Sequence, residues 1–431
     1  MIVTGTIIKS PNVVVDYFHN PLSAPGVVAI TFTPSGNRTL EGMGFGGKFL
    51  IDNKIDLVAV KCNNDSWFQS IPDESFDLIN KILELKGYKT IVAYGSSMGG
   101  YAAVQFSKRF NCDIVLALSP QYSILEEFDK RWESYSKKVD WRYAISSDDI
   151  SENCKYVVVY DTHDLDKEHA DRLKSLAKND NFHGVELPFS GHPVSHFLQE
   201  SGILKDVALS VFRGQFFEEK NLRANKRKSK SYLKNLSTHL HKKNKPRLSL
   251  SVINMAIELD SEAPTYFVHK STLLEGMGNI PESIQALARA SELDSNPLIK
   301  LRISKLLVSE KRFAEALQYI DAGIKQSGKL AVLHRQKSEI LVGLGDLDSA
   351  IESAHAASAL DARNPFYRIH LSNLYSKQGK YSEAIAQVDE GLVHSPSVAA
   401  LYRNKVELLK KVGDSNAANL VLQAPEYAAA K

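Results

Sequence analysis

Residues 90–106 read TIVAYGSSMGGYAAVQF, in which a short apolar run passes through small residues into a helical pattern. Its centre, Gly95-Ser96-Ser97-Met98-Gly99, has the spacing G-x-S-x-G. Glycines at both ends of this pattern permit a sharp turn from strand to helix in which larger residues would collide. Such a turn lifts a serine hydroxyl clear of the sheet, so Ser97 is a candidate nucleophile.

Around this turn, residues 1–212 alternate short β-branched runs with amphipathic stretches. The runs occupy residues 13–18, 26–32, 55–60, 90–95, 112–119, 155–160 and 184–189. Continuous apolar strands separated by helices indicate a mostly parallel, doubly wound sheet of an α/β fold, covered on both faces. Because ligands of such sheets bind at the carboxyl ends of the strands, we expect a site beside Ser97.

The remaining sequence repeats itself. The segments GNIPESI, KRFAEAL, GDLDSAI, GKYSEAI and GDSNAAN follow one another at intervals of 33, 34, 34 and 34 residues, from Gly278 to Gly413. A small residue lies five positions into each, at Ser283, Ala316, Ala350, Ala384 and Ala418. A degenerate earlier unit has Asn244 in the glycine place and Ser249 in the small place.

This pattern resembles the tetratricopeptide repeat, a helix-turn-helix unit, over about residues 230–425. The resemblance implies an all-α solenoid of five to six helix pairs and a protein or peptide partner. Single repeats cannot bury their apolar faces, so a stack of this length is what stability requires.

Charge is unevenly distributed along the chain. Between Arg213 and Arg247 there are 12 Lys and Arg residues against Glu218 and Glu219, a local balance of +10, whereas the whole chain carries +3. Such a segment is either a solvated linker or an attraction site for a polyanion such as an acidic glycan or an anionic lipid surface. No aromatic-rich motif accompanies the charge, which argues against nucleic acid.

These patterns predict three parts: a catalytic domain at residues 1–212 with a lid-like insertion at 122–154, a basic linker and first degenerate helix at 213–247, and the repeat domain at 248–431. The N-terminal residues do not read as a signal peptide, and no apolar run approaches the length of a membrane span. We therefore expect a cytoplasmic protein. Cys62, Cys112 and Cys154 are far apart and lack CxxC spacing, so we expect reduced packing residues.

The strand-turn-helix setting of Ser97 resembles the α/β-hydrolase family over about residues 10–212. In that family the chain order is Ser, then Asp or Glu, then His. The segment DTHDLDKEHADRL follows the run at 155–160, and GHPV follows the last run. The resemblance implies Ser97 as nucleophile, Asp164 as acid and His192 as base, with Asp161 and Asp166 as alternatives to Asp164.

Further site residues follow from the same resemblance. It implies an oxyanion hole formed by backbone N–H groups of Met98 and of Thr33, although the loop FTPSGN departs from the family's usual His-Gly entry. Trp67 and Gln121 each follow a strand, so both are candidates for substrate binding, and Trp67 could equally fill the core. His196, four residues after His192, suggests a metal pair only weakly, and we expect neither metal nor cofactor.

Three functions are compatible with these residues. The first is hydrolysis of an ester or thioester through an acyl-enzyme, with the repeats binding a partner or the substrate. The second keeps the acyl-enzyme but transfers the acyl group, such as acetyl, to a glycan hydroxyl. The third is a non-catalytic repeat scaffold with a vestigial hydrolase domain. The aromatic residues of the lid-like insertion would shape an acyl or sugar site if they face inward; they are Trp132, Tyr135, Trp141 and Tyr143.

Overall fold

A computed structural model describes residues 2–21, 26–177, 179–215, 222 and 224–430. The chain forms two compact units, Met1–Asp260 and Ser261–Lys431. This division differs from the predicted boundaries at 212 and 247, because the first helix pair of the repeat sequence groups with the first unit. Part of the predicted basic linker, residues 216–221 and 223, lies outside the described residues.

The described residues of the first unit contain one eight-stranded sheet. Its strands are β1 (Val3–Lys9), β2 (Val13–His19), β3 (Val27–Phe32), β4 (Asp56–Cys62), β5 (Thr90–Ser96), β6 (Ile114–Leu118), β7 (Lys155–Tyr160) and β8 (Phe182–Glu186). The strand order is β1-β2-β4-β3-β5-β6-β7-β8. β2 pairs antiparallel with β1 and β4, and β3 to β8 are parallel. The expected mostly parallel sheet is therefore present.

Both faces of this sheet are buried. Successive residues of a strand point to opposite faces, and Val92, Ala93 and Tyr94 of β5 are all excluded from solvent. Ala93 belongs to a cluster with residues of the helices that follow β4, β5 and β7. Tyr94, on the other face, packs its ring against Phe45 and Phe212. Burial on both sides explains why the central strands read as continuous apolar runs.

The described helices of the first unit are α1 (Gly47–Asp52), α2 (Glu74–Lys86), α3 (Met98–Gln105), α4 (Glu133–Ser136), α5 (Asp166–Leu176), α6 (Val194–Glu200), α7 (Leu204–Phe212), α8 (Lys230–Lys242) and α9 (Pro246–Leu259). The predicted insertion at 122–154 lies between β6 and β7. It contains only α4 and two short 3₁₀ turns, Lys130–Trp132 and Ser147–Asp149. The three cysteines are buried and free, in agreement with the prediction.

The second unit consists of helices throughout its described residues. They are α10 (Pro264–Gly276), α11 (Ile280–Leu293), α12 (Pro297–Ser309), α13 (Phe313–Gln326), α14 (Ala331–Leu344), α15 (Leu347–Leu360), α16 (Pro365–Lys377), α17 (Tyr381–His394), α18 (Ala399–Lys411), α19 (Ser415–Gln423) and α20 (Pro425–Ala430). Consecutive helices pack as pairs, from α10 with α11 to α18 with α19. This is a solenoid like that of tetratricopeptide repeats.

The repeat signature acts through backbone conformation and close packing. Gly278, Gly345, Gly379 and Gly413 have φ between 76° and 86°, and the two residues that replace glycine, Asn244 and Lys311, have φ of 55° and 58°. A left-handed residue after a helix lets the chain reverse without loss of the terminal hydrogen bonds. The small residues, such as Ser249 and Ala384, have no solvent exposure because the partner helix covers them.

Among the described residues, no helix combines the length and apolar character needed to cross a bilayer.

We expect Gly345→Ala to lower the thermal midpoint of the second unit by about 2–4 °C, because alanine at a left-handed position costs about 1 kcal/mol. Lys311→Gly should raise the midpoint by a similar amount. Gly276→Ala is the matched control, since Gly276 ends a helix with no positive φ and with open space where a Cβ would stand. Circular dichroism at 222 nm measures the midpoint, and equal midpoints for Gly345→Ala and Gly276→Ala would contradict the prediction.

Candidate active site

Ser97 lies at the turn between β5 and α3, with φ of 54° and ψ of −119°. This conformation is strained for a residue with a side chain and typically costs about 1–3 kcal/mol. The two flanking glycines are required by space. A Cβ at Gly95 would stand 2.1 Å from the carbonyl oxygen of Gly99, and a Cβ at Gly99 would stand 2.4 Å from that of Phe32. The G-x-S-x-G prediction is therefore explained at both ends.

A continuous chain of hydrogen bonds joins three side chains at this turn. The Ser97 hydroxyl lies 2.9 Å from Nε2 of His192. Nδ1 of His192 lies 2.8 and 2.9 Å from the two carboxylate oxygens of Asp166. An ionised carboxylate only accepts, so Nδ1 carries the proton and Nε2 is left to accept from Ser97. The histidine is thus held in the tautomer that a general base requires.

The carboxylate bound to His192 belongs to Asp166, which corrects the choice of Asp164. Asp166 is the first residue of α5 and its side chain is buried against the histidine. Asp164 lies two residues earlier in the preceding turn, where it pairs with Arg131. Asp161 is also buried, and it accepts backbone N–H groups of His163, Phe189 and Gly191. Three aspartates within six residues could be told apart only by the direction of the turn.

Arg131, from the insertion at 122–154, was not foreseen as part of the site. Its guanidinium contacts the carboxylates of Asp129, Asp164 and Asp166. Burial by itself would raise the pKa of Asp166, but hydrogen bonds from His192 and Ser119 and the charge of Arg131 hold that pKa below its usual value. Asp166 therefore remains ionised across the neutral range.

Gln121 and Trp67 lie behind the reacting groups. Gln121 is fully buried, and its Nε2 donates to the Ser97 hydroxyl at 3.1 Å and lies 3.3 Å from Nε2 of His192. Its Oε1 accepts from the indole N–H of Trp67 at 3.3 Å, which fixes the orientation of the amide. Trp67 has no exposed surface, so it fills the core and orients Gln121, and the expectation that it contacts substrate directly does not hold.

One of the two predicted oxyanion donors is placed to act. Met98 directly follows Ser97 and is the first residue of α3, so its N–H has no acceptor within the helix and stays a candidate oxyanion donor. Thr33 is not available, which corrects that prediction. Its N–H donates to the carbonyl of Val60 at 3.3 Å, and its hydroxyl exchanges hydrogen bonds with the backbone of Cys62. These contacts bind Thr33 to the edge of β4.

A cavity of about 400 Å³ opens above the Ser97 hydroxyl. We call it the catalytic cavity, and its walls include Pro34, Ser35, Phe45, Trp132, His192, His196, Gln199 and Leu204. The Trp132 ring stands edge-on to His192 at 5.4 Å between centroids. Of the four insertion aromatics, Trp132 therefore faces the site. Tyr143 is buried against Phe76 of α2 and Phe106, which directly follows α3, and Trp141 packs on Tyr101.

No family model matches the chain, and no curated protein matches it. Solved structures do match it. MamA from residue 41 to its end, from Desulfovibrio magneticus RS-1, is 16% identical over 38% of this chain and 94% of that chain, at a TM-score of 0.35. PilF of Pseudomonas aeruginosa is 14% identical over 46% of this chain and 95% of that chain, at a TM-score of 0.36. The thermophilic tetratricopeptide protein TTC0263 of Thermus thermophilus is 19% identical over 42% of this chain and 99% of that chain, at a TM-score of 0.32.

Proposed function

We propose that the first unit is a serine hydrolase of α/β-hydrolase type that cleaves an ester or thioester through an acyl-enzyme. The observation that carries this proposal is the hydrogen-bonded chain Ser97–His192–Asp166 at a strained turn that opens into a cavity. The chain combines a strained serine, a largely buried imidazole and a buried carboxylate. Each of the three residues matches one role of a catalytic triad.

The order and position of these residues support the assignment to the α/β-hydrolase type. Ser97, Asp166 and His192 follow β5, β7 and β8, which lie on the same side of a mostly parallel sheet. Serine, acid and histidine occur in that order along α/β-hydrolase chains. The carboxyl ends of parallel strands share one edge, so three loops distant in sequence converge at one place.

Acylation begins when the Ser97 oxygen attacks the carbonyl carbon and its proton moves to Nε2 of His192. The carbonyl oxygen becomes an oxyanion and accepts the N–H of Met98. Asp166 stabilises the imidazolium and does not take up a proton itself. Collapse of the intermediate breaks the bond to the leaving group, which departs as an alcohol or thiol with the proton from Nε2.

Deacylation repeats these steps with water. His192 takes a proton from a water molecule, whose oxygen attacks the acyl carbon and expels Ser97. The proton returns to the serine oxygen, and a carboxylic acid leaves. Gln121 supports both stages, because its amide N–H donates to the serine oxygen and keeps it from turning away from the histidine.

A second cavity suggests where the acyl group binds. This acyl groove, of about 480 Å³, shares Phe45, Gln199 and Leu204 with the catalytic cavity and extends along Phe49 and Tyr94. The three shared residues place it next to the catalytic cavity. Aromatic and aliphatic walls favour an apolar acyl chain longer than acetyl.

Glycan acylation is the second candidate, favoured by a polar cavity of about 450 Å³. Its wall contacts the wall of the catalytic cavity, where Ser35 donates to Asp65 at 3.0 Å and where the centroids of the Trp132 and Tyr135 rings lie 6.1 Å apart. Its polar lining suits sugar hydroxyls and comprises Arg38, Asn63, Asn64, Ser66 and Lys138. Incubation with an activated ester and an oligosaccharide separates the two functions, because transfer yields acylated sugar in place of free acid.

The second unit supports a further role beside catalysis. Solenoids of this type present an extended surface to proteins or peptides, so we propose a protein or peptide partner for the repeats. The alternative is a non-catalytic scaffold, in which the repeats bind a partner and the first unit is a vestigial hydrolase domain that does not cleave a substrate.

Ser97 should react with a fluorophosphonate probe, because a serine oxygen that a neighbouring base activates displaces fluoride from the phosphorus and forms a phosphonate ester. Intact-mass spectrometry of the folded protein should show one adduct, absent in Ser97→Ala and in His192→Ala. Ser96→Ala is the matched control, since this neighbouring serine bonds Ser195 instead of the histidine. Absence of an adduct on the folded wild-type protein would favour the scaffold.

Asp166→Asn should lower kcat for a nitrophenyl ester by about 10⁴-fold, because an amide in this place holds the wrong tautomer of His192. Asp164→Asn is the matched control. It changes a partly exposed ion pair, which is worth at most about 1 kcal/mol, and a long hydrogen bond of 3.4 Å from the Asp166 N–H, and it should change kcat less than threefold. A larger loss in Asp164→Asn than in Asp166→Asn would reverse the assignment of the acid.

Catalytic efficiency should rise with acyl length if the groove holds the acyl chain. From acetyl to hexanoyl nitrophenyl esters we expect kcat/KM to increase about fourfold per methylene, since each buried methylene contributes about 0.8 kcal/mol. Phe49→Trp should shorten the optimum because the larger ring fills the groove. Phe366→Trp is the matched control on an exposed position of the second unit. Equal kcat/KM for all chain lengths would remove the groove from the proposal.

A further inference from the structure

The segment that contains His192 has a backbone conformation that other residues have to stabilise. Residues 187–193 connect β8 to α6, and within them Phe189 and Gly191 have φ of 65° and 77°. Glycine adopts a positive φ readily, but this conformation is unfavourable for Phe189, so surrounding groups have to stabilise it. His192 follows directly, and its ring position depends on that fixation.

One side of this segment is held by Asp161, at the end of β7. Its carboxylate accepts the N–H groups of Phe189 at 2.9 Å and Gly191 at 2.7 Å. Burial raises the pKa of Asp161, while the three backbone N–H groups that it accepts act in the opposite direction. These bonds satisfy the inward-facing donors of the segment and leave its outer face to other partners.

The other side is held by α8, the first helix of the repeat sequence. Asn235 donates through Nδ2 to the carbonyl of Phe189 at 3.3 Å. The same nitrogen lies 2.3 Å from where a Cβ at residue 191 would stand, so the asparagine occupies the space that Gly191 leaves open. The Phe189 ring packs against Tyr232 and His239 at 6.2 and 5.0 Å between centroids.

These three contacts come from one face of α8. Residues 232, 235 and 239 are separated by three and four positions, which is the spacing of a helical face. The start of the helix is fixed as well. Glu200, at the end of α6, accepts from the hydroxyls of Ser229 and Ser231 and from the Ser231 N–H, at 2.6 to 3.0 Å. α8 and its N-cap residue therefore contact the chain before His192, at Phe189, and after it, at Glu200.

The helix is in turn fixed to its partner. Ser237 of α8 and Ser249 of α9 are fully buried and exchange hydrogen bonds between the two helices at 2.7 to 2.9 Å. This is the close contact that the small residue of the repeat provides. The first repeat pair is thus closely packed, and it belongs to the first unit.

We infer that α8 positions the catalytic histidine and that Asn235 is its positioning residue. Asn235 touches neither Ser97 nor His192 itself and acts through the carbonyl of Phe189 and the turn at Gly191. The repeat sequence thus has two uses in this chain: its first helix pair completes the active site, and the later pairs form the separate second unit. This inference rests on the proposed hydrolase function.

Asn235→Leu tests this inference on the full-length protein, because leucine has similar volume and no donor. We expect kcat for a nitrophenyl ester and the rate of fluorophosphonate labelling to fall about three- to tenfold, the range for one lost hydrogen bond, with KM unchanged. Asn235→Gln retains the amide and should restore part of the rate. Lys234→Ala is the control on the exposed face of α8 and should leave both rates at the wild-type level.

The readouts separate the possible failures. If Asn235→Leu keeps wild-type kcat and labelling rate, the inference is overturned while the hydrolase function stands. If its loss of rate disappears on cooling well below its thermal midpoint, the asparagine supports only stability, and the inference is again overturned. If the wild-type protein does not label at all, the proposed function fails before the role of Asn235 is at issue.

Discussion

The close approach of backbone at the turn after β5 is the constraint around which the first unit is organised. The carbonyl of Gly99 and that of Phe32 occupy the spaces that side chains at residues 95 and 99 would need. The residue between them is forced to positive φ, and its side chain projects beyond the sheet edge. The proposed chemistry of this unit depends on the position of Ser97, which is nearly buried and lines the catalytic cavity.

Three loops bring the remaining groups to this serine. Gln121 follows β6, Asp166 follows β7 and His192 follows the last strand, and a parallel sheet directs all three loops to one edge. The electrostatic arrangement is consistent with this geometry. Asp166 is buried yet ionised, because Arg131 and hydrogen bonds offset the cost of burying its charge. The insertion after β6 thus helps to lower the pKa of Asp166, through Arg131, and supplies a wall of the catalytic cavity, through Trp132.

The repeat sequence crosses the boundary between the two units. A repeat pair cannot bury its apolar face alone, and in most solenoids a neighbouring repeat covers it. Here, α8 and α9 belong to the first unit, where α8 packs against α6 and contacts the chain beside His192. The contact therefore serves both partners: the loop beside His192 buries part of the face of α8, and α8 stabilises the conformation of that loop.

The sequence predicted whatever depends on local spacing. It identified the strand-turn-helix at Ser97, the mostly parallel sheet and the repeat helices, because backbone constraints and helical period act between near neighbours. It also selected His192, which directly follows Gly191 after the last strand.

Only the tertiary structure decided between Asp161, Asp164 and Asp166, removed Thr33 from the oxyanion hole, and assigned Trp67 to the core. It also added Arg131 and Asn235 and moved the unit boundary beyond α9. These outcomes depend on the direction in which side chains leave a turn and on contacts between segments far apart along the chain. No spacing rule encodes such contacts, because they arise only when the loops at the sheet edge pack against one another.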